Sequence, residues 1–316
     1  MSEFLGVLSF SFSVTGPIFI ILLLGVWFMR IGILNEAFIE TGSRLVFTVA
    51  LPALLFVSIS KTHFSAAANF DLIIFAAIAT VLSVVLLEAA THYLIMPAED
   101  RGVVVQGAFR SNMGIIGLAY CVNAYGDNGL VAASLYLGLI TILFNVLAVI
   151  TLSRSLHKSQ GVGKVVRGIA TNPLIIGILL ALPVSYAGIK LPTVLLESGE
   201  YFSKMTLPLA LLCTGASLDF HSLRQEMGKT LFASVSKLVL TPLLFVLGGL
   251  WMGFRGVDMG ILLLMSSAPT AAASYIMVRA MGGNAPLAAN IIALTTLGSV
   301  VTTSIGITVL RGLGLM

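Results

Sequence analysis

Ten long apolar segments run through this chain of 316 residues, and they constrain its fold more than any other feature. Roughly twenty apolar residues are enough to cross a bilayer as a helix. Hydrophobic residues make up 58% of the chain and charged residues 9%, whereas a soluble domain is about a quarter charged. So few charges cannot cover a particle in water. The composition excludes a soluble globular protein. The segments predict an all-α integral membrane protein with ten transmembrane helices, at about 14–32, 42–60, 70–95, 102–124, 128–152, 171–187, 192–217, 228–253, 257–281 and 285–310.

The two halves of the chain match each other at a constant offset of 156 residues. Five spans in each half is an odd number, so the second half enters the membrane from the opposite side. We predict an inverted 5+5 repeat, with the first copy at 1–153, a linker at 154–170 and the second copy at 171–316. An even-numbered parallel repeat is the alternative if a helix has been split or missed. The matched pairs include Pro17 and Pro173, Gly32 and Gly188, Pro52 and Pro208, Gly126 and Gly282, and Asn128 and Asn284.

Lysine and arginine are distributed unequally between the connections. Ten lie in the odd-numbered connections and five in the even-numbered connections and the C-terminus. Because cytoplasmic loops carry the excess of basic residues, we predict a cytoplasmic linker and both termini outside, in a bacterial inner membrane. The basic residues form no stripe interleaved with aromatic residues, so nucleic acid is not an expected partner.

Helix-breaking residues interrupt the fourth and ninth segments at mid-span. The fourth carries Arg110, Ser111 and Asn112 before Gly114, and the ninth carries Pro269 and Thr270. Lipid tolerates an interrupted helix only where protein or a water-filled cavity surrounds it. We therefore predict that the two broken helices cross and that their half-helix ends bind an anion. Alternatively, Asn112 and Thr270 only bond neighbouring backbone.

Three ionisable residues inside the spans are candidates for coupling or charge pairing. Arg110 either faces a cavity or partner, because a buried arginine is costly, or snorkels to the interface. Glu88 either accepts a transported proton, pairs with Lys237 or serves a structural or interfacial role.

The remaining candidates follow from position. Pro52 and Pro208 are expected to kink the second helix of each half beside the cavity, and Asn145 to form an interhelical hydrogen bond. We predict neither metal nor cofactor. The chain has no HExxH and no GxSxG motif, so we do not predict an enzyme. The full set of predicted substrate-binding residues is Asn112, Ser111, Gly114, Ile116, Tyr120, Pro269, Thr270, Ser274, Leu51 and Thr206.

Several segments together resemble the auxin efflux carrier family in its bacterial branch. They are LVFTVALPALLF, RSNMGIIGLAYCVNAYGDNGL, ITILFNVLAVITL and TNPLIIGILLAL, followed by SSAPTAAASYIMV, GGN and ALTTLGS. The motifs are degenerate, but they occur in the right order over nearly the whole chain. The sodium-coupled bile-acid transporters and the sodium/proton antiporters share this general architecture.

The resemblance implies a crossover of helices 4 and 9, and a transport domain that moves against a dimerising scaffold, both interleaved across the two repeats. It also implies export or exchange of organic anions. By motif position, Asn112 corresponds to the first crossover, and Pro269 with Thr270 to the second. The plant carriers have proline at both crossovers, and this chain has Met113 where the first would lie. It also lacks their long cytoplasmic loop, and these departures argue against an indole-acid substrate.

Two functional hypotheses follow. The first is a secondary active transporter of small organic carboxylates by alternating access, with its site at the crossover. The alternative is a sodium- or proton-coupled cation antiporter of the same architecture. The crossover contains no Asp or Glu, which favours the anion carrier. The substrate, the direction of flux and the coupling ion, whether proton or sodium, stay open at this stage.

Overall fold

The computed structural model describes residues 2–61, 69–156, 170–171, 173–218 and 226–316. Most of the predicted linker therefore lies outside the described residues. Within those that are described, the chain is helical and forms no strand longer than a single bridge. In this described part of the chain, six helical segments are long and apolar enough to cross a bilayer: Ser9–Arg30, Glu36–Ser60, Phe70–Leu94, Met113–Ser155, Met227–Trp251 and Ala285–Gly312.

The first half begins with α1 (Ser2–Arg30). Next, α2 (Glu36–Leu45) continues through a π-helical turn at Val46–Ala50 into α3 (Leu51–Ser60), followed by α4 (Phe70–Leu94) and α5 (Arg101–Phe109). After a break, a π-helical turn at Met113–Gly117 leads into α6 (Leu118–Ser155). Gly126, with φ 61° and ψ −144°, interrupts α6. The chain therefore changes direction between the fourth and fifth predicted segments.

The second half begins with α7 (Pro173–Tyr186) and α8 (Thr193–Ala216). Then α9 (Met227–Val235) passes through a π-helical turn at Ser236–Leu240 into α10 (Thr241–Trp251). The ninth predicted segment is divided into α11 (Gly256–Ser267) and α12 (Ala273–Met281), and α13 (Ala285–Gly312) ends the chain.

Asparagine side chains begin three of these helices. Asn35 accepts a hydrogen bond from the Phe38 amide at 2.8 Å, and Asn69 and Asn284 do the same for the amides three residues later at 3.1 Å. An asparagine in this position satisfies an amide that has no partner within the helix. These caps mark where the chain enters a span.

The prolines of the second helix in each half lie inside helical structure. Pro52 lies two residues after the π-helical turn at Val46–Ala50, and Pro208 lies within α8. A wider turn before a proline makes room for its ring and for the missing donor. The same arrangement recurs at Pro242, after the turn at Ser236–Leu240.

The helices pack in two groups. One contains α1, α2, α3, α7 and α8, with α1 against α8 and α3 against both α7 and α8. The other is built around α5, which packs against α4, α6, α9 and α13. Large apolar side chains such as Trp27, Ile78, Leu180 and Leu247 cover the outer surface. Such an apolar exterior is typical of a surface that faces lipid.

Glycines with a positive φ recur at the 156 offset. Gly32 and Gly188 have φ of 79° and 60°, and Gly126 and Gly282 have φ of 61° and 74°. A positive φ is uncommon and marks a specific change of chain direction. A positive φ thus recurs at both pairs of positions, but ψ is −144° at Gly126 and 31° at Gly282, so the chain follows different paths after these two glycines.

Two glycines bring α1 and α8 into close contact. A Cβ atom at Gly25 would overlap the Leu212 carbonyl oxygen and lie 2.8 Å from the Ala216 nitrogen, and one at Gly215 would overlap the Leu22 carbonyl oxygen. Small residues allow this approach between membrane helices.

We expect Gly25→Val to force α1 and α8 apart and to destabilise the protein by about 1–3 kcal/mol, because the added side chain meets rigid backbone. The measurement is the melting temperature in detergent. Gly16→Ala is the matched control on the same helix, since nothing lies within 4 Å of a Cβ atom there. An unchanged melting temperature for Gly25→Val would show that the helices do not cross at this glycine.

Candidate functional site

The first predicted break lies between α5 and the turn at Met113–Gly117. Helix α5 ends at Phe109, Arg110 is extended with φ −79° and ψ 94°, and Asn112 has φ −77° and ψ 60°. The helix then restarts with the amides of Ile116 and Gly117 both donating to the Asn112 carbonyl, at 3.1 and 3.0 Å.

The second predicted break separates α11 from α12. Helix α11 ends at Ser267, and Ala268 is extended with φ −56° and ψ 141°. Pro269 follows, where its ring cannot continue the helix. The strict offset from 110–112 would place this break at 266–268, and the observed break lies slightly later, at 268–272.

The two breaks meet and pair as a short antiparallel bridge. The Asn112 amide donates to the Pro269 carbonyl at 2.7 Å, and the Ala271 amide donates to the Arg110 carbonyl at 2.9 Å. Ser111 and Thr270 face each other at the centre of this bridge. Backbone groups freed by one break are thus satisfied by the other, as an apolar interior requires. We call residues 110–112 and 268–271 the crossing.

Thr270 ties the crossing to its neighbours. Its amide donates to the Thr295 hydroxyl at 3.1 Å, and its own hydroxyl donates to the Gly107 carbonyl at 2.6 Å. The structure therefore gives Thr270 the backbone-bonding role that the sequence left open as an alternative, with its hydroxyl bonded to helix α5.

A cavity of about 370 Å³ adjoins the crossing. It lies between the two helix groups, with Phe47, Pro173 and Leu174 on one wall and the crossing on the other. It also reaches Thr171, next to the linker. The other lining residues are Arg110, Ser111, Asn112, Met113, Gly114, Leu137, Thr141, Phe144, Asn145, Ala271, Ala272 and Ala273.

Arg110 is the charged group at this cavity. Its side chain is buried, and its guanidinium donates to Asn145 Oδ1 at 2.7 Å and to Met277 Sδ at 3.5 Å. A guanidinium has five N–H donors, so others are left for a ligand. Of the two alternatives for Arg110, the structure selects the cavity over snorkelling.

Helix beginnings also line the cavity. Met113 and Gly114 open the turn that leads into α6, and Ala272 and Ala273 open α12. The first amides of a helix have no partner within it and carry a partial positive charge. The side chain of Asn112, also on the cavity, makes no capping hydrogen bond to the helical turn that follows it.

Lys237 reaches the crossing from the other side. Its side chain is completely buried, and Nζ donates to Ser111 Oγ at 2.5 Å and to the Ser266 carbonyl at 2.6 Å. The pairing of Lys237 with Glu88 that the sequence allowed is not formed. Glu88 instead pairs with Arg154 at 2.6 Å, because both lie at the linker end of their helices.

The predicted substrate-binding residues separate into two sets. Three of the ten, Ser111, Asn112 and Gly114, line the cavity. The other seven do not appear in its lining: Thr206 donates to the Phe202 carbonyl within α8, Thr270 holds helix α5, Pro269 accepts from Asn112, and Leu51, Ile116, Tyr120 and Ser274 are buried in the packing.

Sequence reasoning missed the α6 wall of the cavity. Thr141 and Asn145 are four residues apart, so they share one helix face. Two polar side chains on one face of an apolar span were a signal that could have identified this wall. Phe47, Pro173 and Leu174 carried no comparable signal.

The cavity is electropositive. Arg110 and the helix beginnings supply positive charge, and none of the described residues that line the cavity is Asp or Glu. Among the described residues there is also no group of three or more His, Cys, Asp or Glu side chains placed to hold a metal ion. This arrangement favours a ligand with a negative charge.

Comparison with known proteins gives consistent relatives. The model of the family described as membrane transport protein matches residues 12–307. An uncharacterized transporter of Methanothermobacter thermautotrophicus is 26% identical over 299 residues, covering 90% of this chain and 93% of that protein. The transporter YfdV of Escherichia coli is 24% identical over 310 residues, covering 93% of this chain and 96% of its own. A transporter of Methanocaldococcus jannaschii is 24% identical over 82% of this chain and 86% of its own.

The family match spans nearly the entire chain, and the relatives are aligned along most of their own length. The resemblance found in the sequence motifs is therefore confirmed. The protein is a multi-pass membrane protein with a transport function, and it belongs to the membrane transport protein family, that of the auxin efflux carriers.

Proposed function

We propose that this protein is a secondary active transporter that exports or exchanges small organic carboxylates by alternating access, with its binding site at the crossing. The observation that carries the proposal is the cavity in which the Arg110 guanidinium, the Asn112 amide and two helix beginnings converge. Each of these groups donates hydrogen bonds or positive potential, so together they suit a carboxylate.

The size of the cavity supports a small substrate. Pockets for small molecules are typically about 300–1,000 Å³, and this one, at about 370 Å³, is near the lower limit. Phe47, Leu137 and Phe144 supply apolar walls. A short mono- or dicarboxylate would place its charge at Arg110 and its carbon chain against these walls.

The ten-helix inverted repeat is the second part of the proposal. Residues 1–153 and 171–316 would form the two copies, joined by the 154–170 linker. Support comes from the positive-φ glycines at the 156 offset, Gly32 with Gly188 and Gly126 with Gly282. The two breaks of the crossing then occupy equivalent places in the two copies, as expected for transporters built from inverted repeats.

Alternating access would use the two helix groups. The cavity lies between them and reaches Thr171, which adjoins the linker, while Leu51, Ile116 and Tyr120 are buried in the packing. Under the topology predicted from the basic residues, with a cytoplasmic linker and both termini outside, this arrangement would correspond to a state open to the cytoplasm. We propose a location in the bacterial inner membrane and, from the family resemblance, a homodimer.

A cation antiporter is the competing function, and Glu88 is its candidate proton acceptor. Glu88 lies outside the crossing, on a separate cavity of about 190 Å³ shared with His92, Arg101 and Arg154. Its carboxylate is already paired with Arg154. A cation carrier needs an acidic or oxygen-rich site, and the electropositive cavity at the crossing does not resemble one.

We expect Asn112→Ala to abolish the stabilisation of the protein by malonate, a small dicarboxylate probe, because the variant loses a side-chain donor at the cavity. A ligand that binds only the folded state raises the melting temperature. At a free ligand concentration a hundredfold above Kd, the free energy of unfolding rises by about 2.7 kcal/mol. The measurement is a thermal shift in detergent. Asn123→Ala is the matched control, since that asparagine donates to the Val14 carbonyl, away from the cavity. Equal malonate shifts in the native protein and Asn112→Ala would remove Asn112 from the site.

We expect Arg110→Lys to weaken malonate binding roughly tenfold, about 1.4 kcal/mol, because lysine keeps the charge but loses the planar fork of donors. Titration of the thermal shift measures the change in Kd. Arg255→Lys, an exposed position whose guanidinium donates to the Leu250 and Phe254 carbonyls, is the control. Unchanged affinity in Arg110→Lys would show that the guanidinium geometry does not contact the anion.

We expect Glu88→Gln to leave the malonate-induced shift unchanged within twofold, because its carboxylate lies on another cavity. The decisive measurement is pH inside proteoliposomes after sodium or potassium is added outside. The carboxylate transporter gives no cation-driven pH change in either protein. A sodium-driven pH change that disappears in Glu88→Gln would establish the antiporter instead.

A further inference from the structure

The Lys237 side chain is the least expected group in the membrane interior. It is completely buried, and its two hydrogen bonds go to uncharged oxygens, Ser111 Oγ and the Ser266 carbonyl. None of the ion pairs formed by the described residues includes Lys237. A buried ammonium is costly unless something compensates its charge.

The position of Lys237 Nζ shows which groups compensate its positive charge. Ser266 is in the last turn of α11, and Ser111 follows the end of α5 by two residues. One turn after Lys237, the Thr241 hydroxyl donates to the Ala108 carbonyl at 3.3 Å, also at the end of α5. The C-terminal end of a helix carries roughly half a negative charge. The ammonium thus lies where two negative helix ends converge.

Among the residues that the structure describes, no nearby acid takes this role. The helices that pack against the 236–240 turn carry few ionisable groups, and each has another partner. These are Arg101 with the Ile95 carbonyl, Lys229 with Asp100 and Glu226, Asp258 with Asn69, Arg311 over the Phe10 ring, and Arg110 with Asn145.

Ser111 and Ser266, the two residues that Lys237 contacts, also border a small void. The void has about 10 Å³, near the smallest space that holds a water molecule, and Thr80, Ser83 and Thr241 line it together with four aromatic residues and two methionines. Carbonyl and hydroxyl oxygens around a small space are the ligands that a hard metal cation prefers. In this protein an ammonium group already donates to two of these oxygens.

We propose that Lys237 is a built-in cation of the transport site, a tethered ammonium that takes the place of a bound metal cation between the C-terminal ends of α5 and α11. Lys237 is a positioning residue, because it holds Ser111 and the two breaks in register while Arg110 and Asn112 receive the anion. The crossing therefore needs no sodium ion to be assembled. This last consequence rests on the proposed function, whereas the role of the ammonium in the fold does not.

The test restores the missing group as a separate molecule. Lys237→Ala removes the atoms of n-propylammonium, so we expect this ion at millimolar concentration to raise the melting temperature of the variant by about 3 °C or more, with saturation. The native protein should show no such shift. 1-Propanol, which has the same size and no charge, is the matched control and should not restore stability.

The outcomes separate the alternatives. Equal rescue by 1-propanol, or no rescue by either compound, would overturn the tethered cation. If Lys237→Ala does not yield folded protein, Lys237→Met keeps the apolar stem without the charge, and we expect it to melt about 3 °C or more below the native protein. A melting temperature equal to that of the native protein would overturn the proposal.

Sodium dependence is measured separately. We expect the malonate-induced shift of the native protein to be the same in sodium chloride and in choline chloride. A shift that requires sodium would overturn the built-in cation while leaving the carboxylate transporter intact. The absence of any malonate shift in the native protein would instead count against the proposed substrate, and the propylammonium result would still decide the role of Lys237.

Discussion

The pairing of the two broken helices is the interaction on which the rest of this structure depends. Inside a bilayer no water satisfies a freed backbone group, so a helix can break only where another group takes over its hydrogen bonds. Here each break provides hydrogen-bond partners for the backbone of the other, through the bonds from the Asn112 amide to the Pro269 carbonyl and from the Ala271 amide to the Arg110 carbonyl. This exchange allows four half-helices to end at one place. The cavity and the burial of two cationic side chains are consequences of that arrangement.

Charge is divided across the crossing. Arg110 faces the cavity, beside helix beginnings that are themselves positive, whereas Lys237 approaches the ends of α5 and α11, which are negative. Under our proposals, the arginine is balanced by a transported carboxylate and the lysine by the helix ends. Both residues contact or border Ser111, so the anion site and the tethered cation share one short segment. A site organised in this way is complete only when the anion is present.

Much of the crossing was accessible from the sequence, and the reasons for success and failure are physical. Pro269 cannot continue a helix, and the polar residues 110–112 have no place in an apolar span, so both breaks could be predicted. The direction of the Thr270 hydroxyl toward Gly107 could not, because it depends on how α5 and α12 pack. Asn145 was predicted to bond another helix, but its partner Arg110 was not identified, because that contact also depends on how the helices pack. Seven of the ten predicted binding residues lie outside the cavity lining, since a helix position does not reveal which face meets the cavity.

The sequence by itself determined that the chain lies in lipid, that its elements are helices, and where those helices are interrupted. Long apolar runs allow only helices in lipid, and proline, glycine and clustered polar residues set the interruptions, all through local chemistry. Glycines matched at the offset of 156 residues share a positive φ in the structure, at Gly32 and Gly188 and at Gly126 and Gly282, although the ψ angles of the second pair differ. Tertiary structure alone decided the partners of Arg110, Lys237 and Glu88. Each of these side chains is paired with residues tens to more than a hundred positions away, and only the packing of helices brings such distant groups within hydrogen-bond distance.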